Sequence, residues 1–164
     1  MKKNTNTDLP KFVAIQMADL IKLADAKAIA LFSVLGIMTA ALLARLTAVR
    51  FQVKLTSLDM SLIAYFISGF LIFLALKTVI TVIYPRLSKG NVKGMTYFGD
   101  IVARSVEKYV EQGLKLTEEE TAKNLYRHAY NLARVADAKF KALQFAYLLT
   151  GVAISWTIIV LIFL

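Results

Sequence analysis

The sequence predicts an all-α membrane protein: three transmembrane helices, a juxtamembrane N-terminal helix, and a cytoplasmic helical hairpin whose last helix is continuous with the third span. The first observation is that 58% of the 164 residues are hydrophobic, which exceeds the roughly 45–50% of soluble domains. The second is that these residues are concentrated in three long blocks without charge. The third is that helix breakers are scarce, with 7 glycines and 2 prolines. A chain of this length is expected to form a single domain, residues 1–164.

The three uncharged blocks cover residues 28–44, 60–76 and 142–164. With their flanks, the predicted spans are 28–49, 60–84 and 142–164. About 20 helical residues, at about 1.5 Å each, cross a hydrocarbon core of about 30 Å. A soluble chain this short has too little other material to bury three such helices. Residues 28–49 and 142–164 also carry small residues at four-residue spacing, which lets helices approach closely in lipid. They are Gly36, Ala40 and Ala44 in the first span and Gly151 and Ser155 in the third.

An amphipathic juxtamembrane helix is predicted over residues 8–26. Its apolar residues recur at helical spacing; they are Val13, Met17, Leu20, Ile21 and Ala24. The helix either runs along the membrane surface or continues straight into the first span.

The segment 85–141 is predicted to be helical after a turn-rich start that ends at Gly94. One helix is expected from about Tyr97 to Gly113, with Ser105 on its apolar stripe and the glycine as its C-terminal stop. Thr117 and Glu120 form the pattern of a capping box. No helix breaker separates them from the third span, so one long helix from Glu118 through the membrane is predicted.

The cations predict the orientation. Residues 1–27 hold five Lys and Arg, residues 84–141 hold eleven, and residues 45–59, between the first two uncharged blocks, hold three. The positive-inside rule therefore places the N-terminus and residues 85–141 in the cytoplasm and the C-terminus outside. A cleaved signal peptide is not expected.

The composition argues against an enzyme and against a metal or cofactor site. The chain has no cysteine and one histidine, and the net charge is +9. Cysteine-ligated metal centres are excluded, and no phosphate-binding glycine loop or catalytic set is recognisable. A membrane-embedded enzyme therefore ranks last among the function classes. Any ligand site is expected to be shared between helices or between protomers.

A basic row on the long helix has two interpretations. Lys123, Arg127, Arg134 and Lys141 form it, with Asn131 beside them. The simpler interpretation is a solvated face or contact with lipid headgroups. The more specific interpretation is an anion site for a phosphate, completed by the turn-rich start of the segment 85–141. Its candidate residues there are Arg86, Lys89 and Lys93.

Two short stretches of the sequence are similar to each other. Residues 23–31 read LADAKAIAL, and residues 135–143 read VADAKFKAL. Each precedes a span, so Asp25 and Asp137 are expected near the membrane surface at the same depth. Similar solvation alone would produce such a match.

The order of these features resembles the transmembrane effectors of bacterial pyrimidine cyclase anti-phage (Pycsar) systems. The similar pieces are ADAKA at 24–28 before the first span, YPRL at 84–87 closing the second, and YFGDI at 97–101. The lysine-bearing helix that enters the third span completes the resemblance, which covers nearly the whole chain. It implies an inner-membrane protein activated by cyclic UMP or cyclic CMP from a partner cyclase. Activation would impair the membrane and kill the infected cell, which is abortive infection. Some relatives carry a separate cyclic-nucleotide-binding domain, for which this chain has no room.

The resulting hypothesis is a homo-oligomeric effector that binds membrane lipid and a cyclic pyrimidine nucleotide, but no nucleic acid polymer. The phosphate would be held by Arg86, Lys89, Lys93, Arg127 and Arg134. Tyr97, Phe98 or His128 would stack on the base, and Asp25, Asn131 and Asp137 would bind its polar edge. The alternative is a non-enzymatic membrane anchor or assembly subunit, whose basic cytoplasmic face binds lipid and a protein partner.

Overall fold

The computed structural model describes residues 7–50, 60–84, 95 and 98–163. These residues form five helices and, within the ranges just given, no strand. The helices are α1 (Asp8–Arg50), α2 (Met60–Ile83), α3 (Phe98–Val102), α4 (Val106–Leu114) and α5 (Glu118–Phe163). The all-helical class predicted from the sequence is therefore confirmed.

Two compact units are present. Unit 1 contains the described residues 7–22, 95 and 98–138, and unit 2 contains 23–50, 60–84 and 139–163. Helices α1 and α5 each contribute residues to both units.

Helix α1 has no break between the predicted juxtamembrane helix and the first apolar run. It begins at Asp8, whose carboxylate suits the positive end of the helix dipole. Pro10 lies in the first turn, where its missing N–H removes no intrahelical hydrogen bond. Of the two arrangements that the sequence allowed for residues 8–26, the structure has the one that continues directly into the apolar run.

The long helix α5 begins at the predicted capping box. The Glu120 amide donates to the Thr117 hydroxyl at 3.2 Å, and the Thr117 amide donates to the Glu120 carboxylate at 3.0 Å. Two amides that the first turn leaves without helical partners are thereby satisfied. The helix then continues for 46 residues, as the lack of breakers predicted.

The single helix predicted from Tyr97 to Gly113 is wrong, because α3 and α4 are separate. Ser105 is extended, with φ −71° and ψ 154°, and its hydroxyl accepts from the Lys108 amide. It therefore caps α4 instead of continuing an apolar stripe. Gly113 is also not a left-handed stop: α4 ends one residue later, and no described glycine has a positive φ.

In unit 2, the three long helices pack through buried positions that alternate in steps of three and four. On α1 these are Ala24, Ala28, Leu31, Leu35 and Leu42, with Met38 partly buried between the last two; on α2 they are Tyr65, Ser68, Ile72, Ala75, Val79 and Val82. On α5 they are Lys139, Leu143, Ala146, Thr150, Ala153, Thr157 and Val160. An average step of 3.5 residues is the repeat of knobs-into-holes packing. We call the α5 set the seam.

The opposite faces of these helices expose large apolar side chains. Phe66, Phe70 and Phe73 of α2 are 61–79% exposed, and Ile37 of α1 is 72% exposed. The small residues at four-residue spacing, including Gly36 and Gly151, are exposed as well, so packing within the chain does not use them. Three helices, α1, α2 and α5, are long and apolar enough to cross a membrane. Such faces match a lipid environment, where the surrounding solvent is itself apolar.

Candidate functional site

Four of the five positions predicted for the basic row on α5 are exposed in unit 1, and the fifth, Lys141, is exposed in unit 2. Lys123, Arg127, Asn131 and Arg134 all have exposed side chains. At about 100° per residue, these positions lie within an arc of about 80° on one side of the helix. In unit 1 the row therefore exposes three cations and one amide on one side of the helix.

The two arginines of the row are about 10 Å apart along the helix axis, since seven residues separate them and each rises about 1.5 Å. Both guanidinium groups can donate to one phosphate only if their side chains converge on it. Asn131 lies between them and carries both a donor and an acceptor. A ligand that combines a phosphate with a polar edge fits this arrangement.

The other predicted site residues on α5 lie to either side of the row. His128 is half-buried and lies about 100° around the helix from Arg127. Asp137 is exposed and lies about 80° away in the opposite direction. By position on the helix, neither shares the centre of the row.

Four predicted site residues, Arg86, Lys89, Lys93 and Tyr97, lie outside the described residues. Phe98 is the first residue of α3. The contribution of these five residues to a phosphate or base site remains a prediction.

Polar contacts to Met95 involve α4 and the connection between α3 and α4. Arg104 donates to its sulfur at 2.9 Å, and the Tyr109 hydroxyl donates to its carbonyl oxygen at 3.2 Å. A hydrogen bond from α4 and another from the α3–α4 connection thus meet at one residue. Because Arg104 is engaged there, it is not one of the exposed cations of unit 1.

Carboxylates at two helix starts are held in their ionised form. Hydrogen bonds from the Thr117 amide and hydroxyl, with a smaller effect of the nearby Lys123 charge, lower the pKa of Glu120. Its own backbone amide and then the Ser105 hydroxyl lower the pKa of Glu107. Both acids are fully exposed, so these effects stabilise local structure and do not create an acid–base pair for catalysis.

A part-buried ion pair with a buried lysine lies in unit 2. The Lys139 ammonium donates to the Asp25 carboxylate, with side-chain exposures of 5% and 33%. Asp25 was predicted to bind the edge of a base, and its carboxylate is instead engaged by this lysine. Asp137, its counterpart in the sequence repeat, belongs to unit 1.

Sequence reasoning missed Lys139 as a site residue, although two features mark it. It occupies the place of Lys27 in the repeated ADAK sequence. It also lies three residues after Ala136 and four before Leu143, both buried, so it continues the apolar spacing. A lysine in such a register must pair or reach water.

Within the described ranges, no group of three or more His, Asp or Glu side chains is placed to hold a metal ion. These features define a helical membrane protein with three apolar helices and a basic polar segment.

The chain belongs to the Pycsar effector protein domain family, whose model matches residues 11–164. This confirms the family suggested by the sequence motifs and makes the protein an effector of an anti-phage defence system. No curated protein and no solved structure matches the chain significantly.

Proposed function

We propose that this effector responds to a cyclic pyrimidine nucleotide, cyclic UMP or cyclic CMP, by impairing the inner membrane, so that the infected cell dies. The observation that carries the proposal is the family match over residues 11–164, together with three helices apolar enough to cross a bilayer. In this account the protein is not an enzyme. Its chemistry is ligand binding followed by a change in helix packing.

The proposed orientation places the N-terminus and residues 85–141 in the cytoplasm, where a partner cyclase would release the nucleotide. Eleven cations in residues 84–141, against three in residues 45–59 between the first two uncharged blocks, support this orientation. The exposed small residues of α1 and α5 support homo-oligomerisation, because they are not used within the chain.

The proposed ligand site centres on Arg127, Asn131 and Arg134. The arginines hold the phosphate by charge-assisted hydrogen bonds, and the amide binds a polar edge of the base. All three are exposed on one side of α5. The helix has no break between Arg134 and Phe163, so a displacement of the row is transmitted along α5 into its apolar part.

Nucleotide binding to the detergent-purified full chain tests this site. We expect cyclic UMP or cyclic CMP to bind more tightly than cyclic AMP. The double substitution Arg127→Ala with Arg134→Ala should weaken that binding at least tenfold, because hydrogen bonds to charged groups contribute about 1.5–3 kcal/mol each.

The matched control is Lys108→Ala with Lys115→Ala. It removes the same charge from exposed positions of unit 1 outside the row. If both double variants weaken binding equally, only net charge matters and the proposed site is wrong. If no nucleotide binds, and neutralising the row instead releases the protein's lipid or protein partner, the chain is a membrane anchor.

A further inference from the structure

Three buried hydroxyl groups in unit 2 have no hydrogen-bond partner among the described residues: those of Tyr65, Thr150 and Thr157. The two threonines are 2% and 1% exposed. Other hydroxyl side chains of unit 2 donate to a carbonyl of their own helix; these are Ser33, Thr39, Thr47, Ser68, Thr78 and Thr81. Thr150 and Thr157 differ from them by leaving their donors unused.

An unused hydroxyl is costly in an apolar interior. Transfer of such a group without a compensating hydrogen bond costs roughly 1–3 kcal/mol by protein mutational data. A helical threonine avoids this cost by donating to the carbonyl three or four residues earlier. Hydroxyls that remain unused are open to a partner from outside the helix, and water is the smallest such partner.

The unused threonines lie in one line with the buried lysine. Lys139, Thr150 and Thr157 all belong to the seam of α5. Eighteen residues make five turns, so Lys139 and Thr157 face the same direction, about 27 Å apart along the axis. That length is close to the hydrocarbon thickness of about 30 Å. Polar groups thus occupy three positions on a single buried side of α5, over a length comparable with the hydrocarbon core.

We infer that the seam is a path for water and small ions through unit 2, and that the Asp25–Lys139 ion pair closes one end of it. Leu143, Ala146 and Ala153 lie between the polar positions, and apolar constrictions of this kind exclude water while helices are closely packed. The inference rests on the proposed function for its trigger and adds to it the place where the bilayer is breached.

The ion pair is suited to closing the path because each charge compensates the other only while the two side chains stay in contact. Separation from Asp25 leaves the Lys139 charge buried without compensation, which is strongly unfavourable. Water entering the seam relieves that cost. Loosening of the helices at this pair therefore favours hydration of the rest of the seam.

Ion leakage from proteoliposomes, without any nucleotide, tests the closure. Asp25→Lys and Lys139→Asp each place like charges together, and each is expected to raise potassium leakage at least tenfold over the native chain. The double swap, Asp25→Lys with Lys139→Asp, restores an opposite pair and should return leakage to near the native rate. The control is Asp19→Lys, which breaks the exposed Asp19–Lys22 pair and should leave the vesicles tight.

Cysteine labelling locates the path, because the chain has no native cysteine. In the Asp25→Lys background, a membrane-impermeant thiol reagent should modify Thr150→Cys and Thr157→Cys. Ile158 lies on the apolar face outside the seam and is 48% exposed. Ile158→Cys should therefore stay unmodified. Equal labelling of all three positions would indicate general bilayer disruption and overturn the path.

The remaining outcomes separate this inference from the proposed function. Single variants that stay tight, with the protein confirmed in the vesicles by flotation, contradict the closure, as does a double swap that leaks as much as the single variants. If the native chain leaks with a nucleotide while Asp25→Lys stays tight without one, the path is wrong and the proposed function stands. If Asp25→Lys leaks and no nucleotide affects the native chain, the proposed trigger is wrong and the path stands.

Discussion

At the scale of single residues, hydroxyl groups are found in three different hydrogen-bonding situations in this molecule. Ser105 and Thr117 cap helices, Thr39 returns its hydrogen bond to its own helix, and Thr150 leaves its hydroxyl unused in the interior. The residue types are nearly the same, so position decides the use. A cap satisfies backbone amides at a helix start, whereas an unused interior hydroxyl retains the capacity to bind water.

The capping box predicts a pH-dependent start of α5. The pKa of Glu120 is lowered from its ordinary value near 4.5 by hydrogen bonds from Thr117. A lowered carboxyl pKa means that the ionised form is favoured in the folded state. Its stabilisation is therefore complete above pH 4.5 and is lost as the pH falls through the lowered pKa.

An NMR titration of the Glu120 carboxyl carbon in the detergent-solubilised chain measures this directly. Thr117→Ala should move that pKa part of the way back up, because it removes the Thr117 hydroxyl and leaves the larger effect of the backbone amide. It should also increase opening of the first turn of α5 about fivefold, since an N-cap is worth about 1 kcal/mol. Thr121→Ala is the control, because the Thr121 hydroxyl donates only to the Thr117 carbonyl. An unchanged Glu120 pKa in Thr117→Ala would contradict the cap.

At the scale of helices, the sequence predicts the start of a helix correctly where that start depends on neighbouring residues alone. The capping box and the absence of breakers correctly predicted α5 from Glu118. The break at Ser105 was missed, because a serine at that spacing suits either an apolar stripe or a cap. Its choice depends on the hydrogen bonds that surround it, including those of Arg104 and Tyr109 to Met95.

The candidate site was predictable to a different extent in each unit. The exposed row of Arg127, Asn131 and Arg134 follows from helical spacing along one element. The pairing of Lys139 with Asp25 spans 114 residues of sequence, so no local pattern reveals it. Only the packing of two distant helices brings those charges together.

The seam predicts that added volume is tolerated differently on the two sides of a helix. Ala153 is fully buried, so Ala153→Leu forces the helices of unit 2 apart and should cost about 1–3 kcal/mol. Ala30→Leu adds the same volume on the exposed face of α1 and should be nearly neutral. Thermal unfolding in detergent compares the two, and equal losses of stability would contradict the seam.

At the scale of the whole molecule, the proposed ligand-binding segment is basic, and the part proposed to respond to the ligand is apolar. The chain has a net charge of +9 and 58% hydrophobic residues, and these properties are divided between different stretches of sequence. Helix α5 carries both, since its N-terminal part bears the row and its C-terminal part bears the seam. A ligand that binds the row can alter the membrane only if it favours a different packing of that helix.

The most direct test of this account is dye leakage from proteoliposomes that contain the native chain, with cyclic UMP, cyclic CMP, cyclic AMP or no ligand added. The account predicts leakage with a cyclic pyrimidine nucleotide and tight vesicles with cyclic AMP or without ligand. Tight vesicles under every condition, with the protein confirmed in the bilayer, would contradict it.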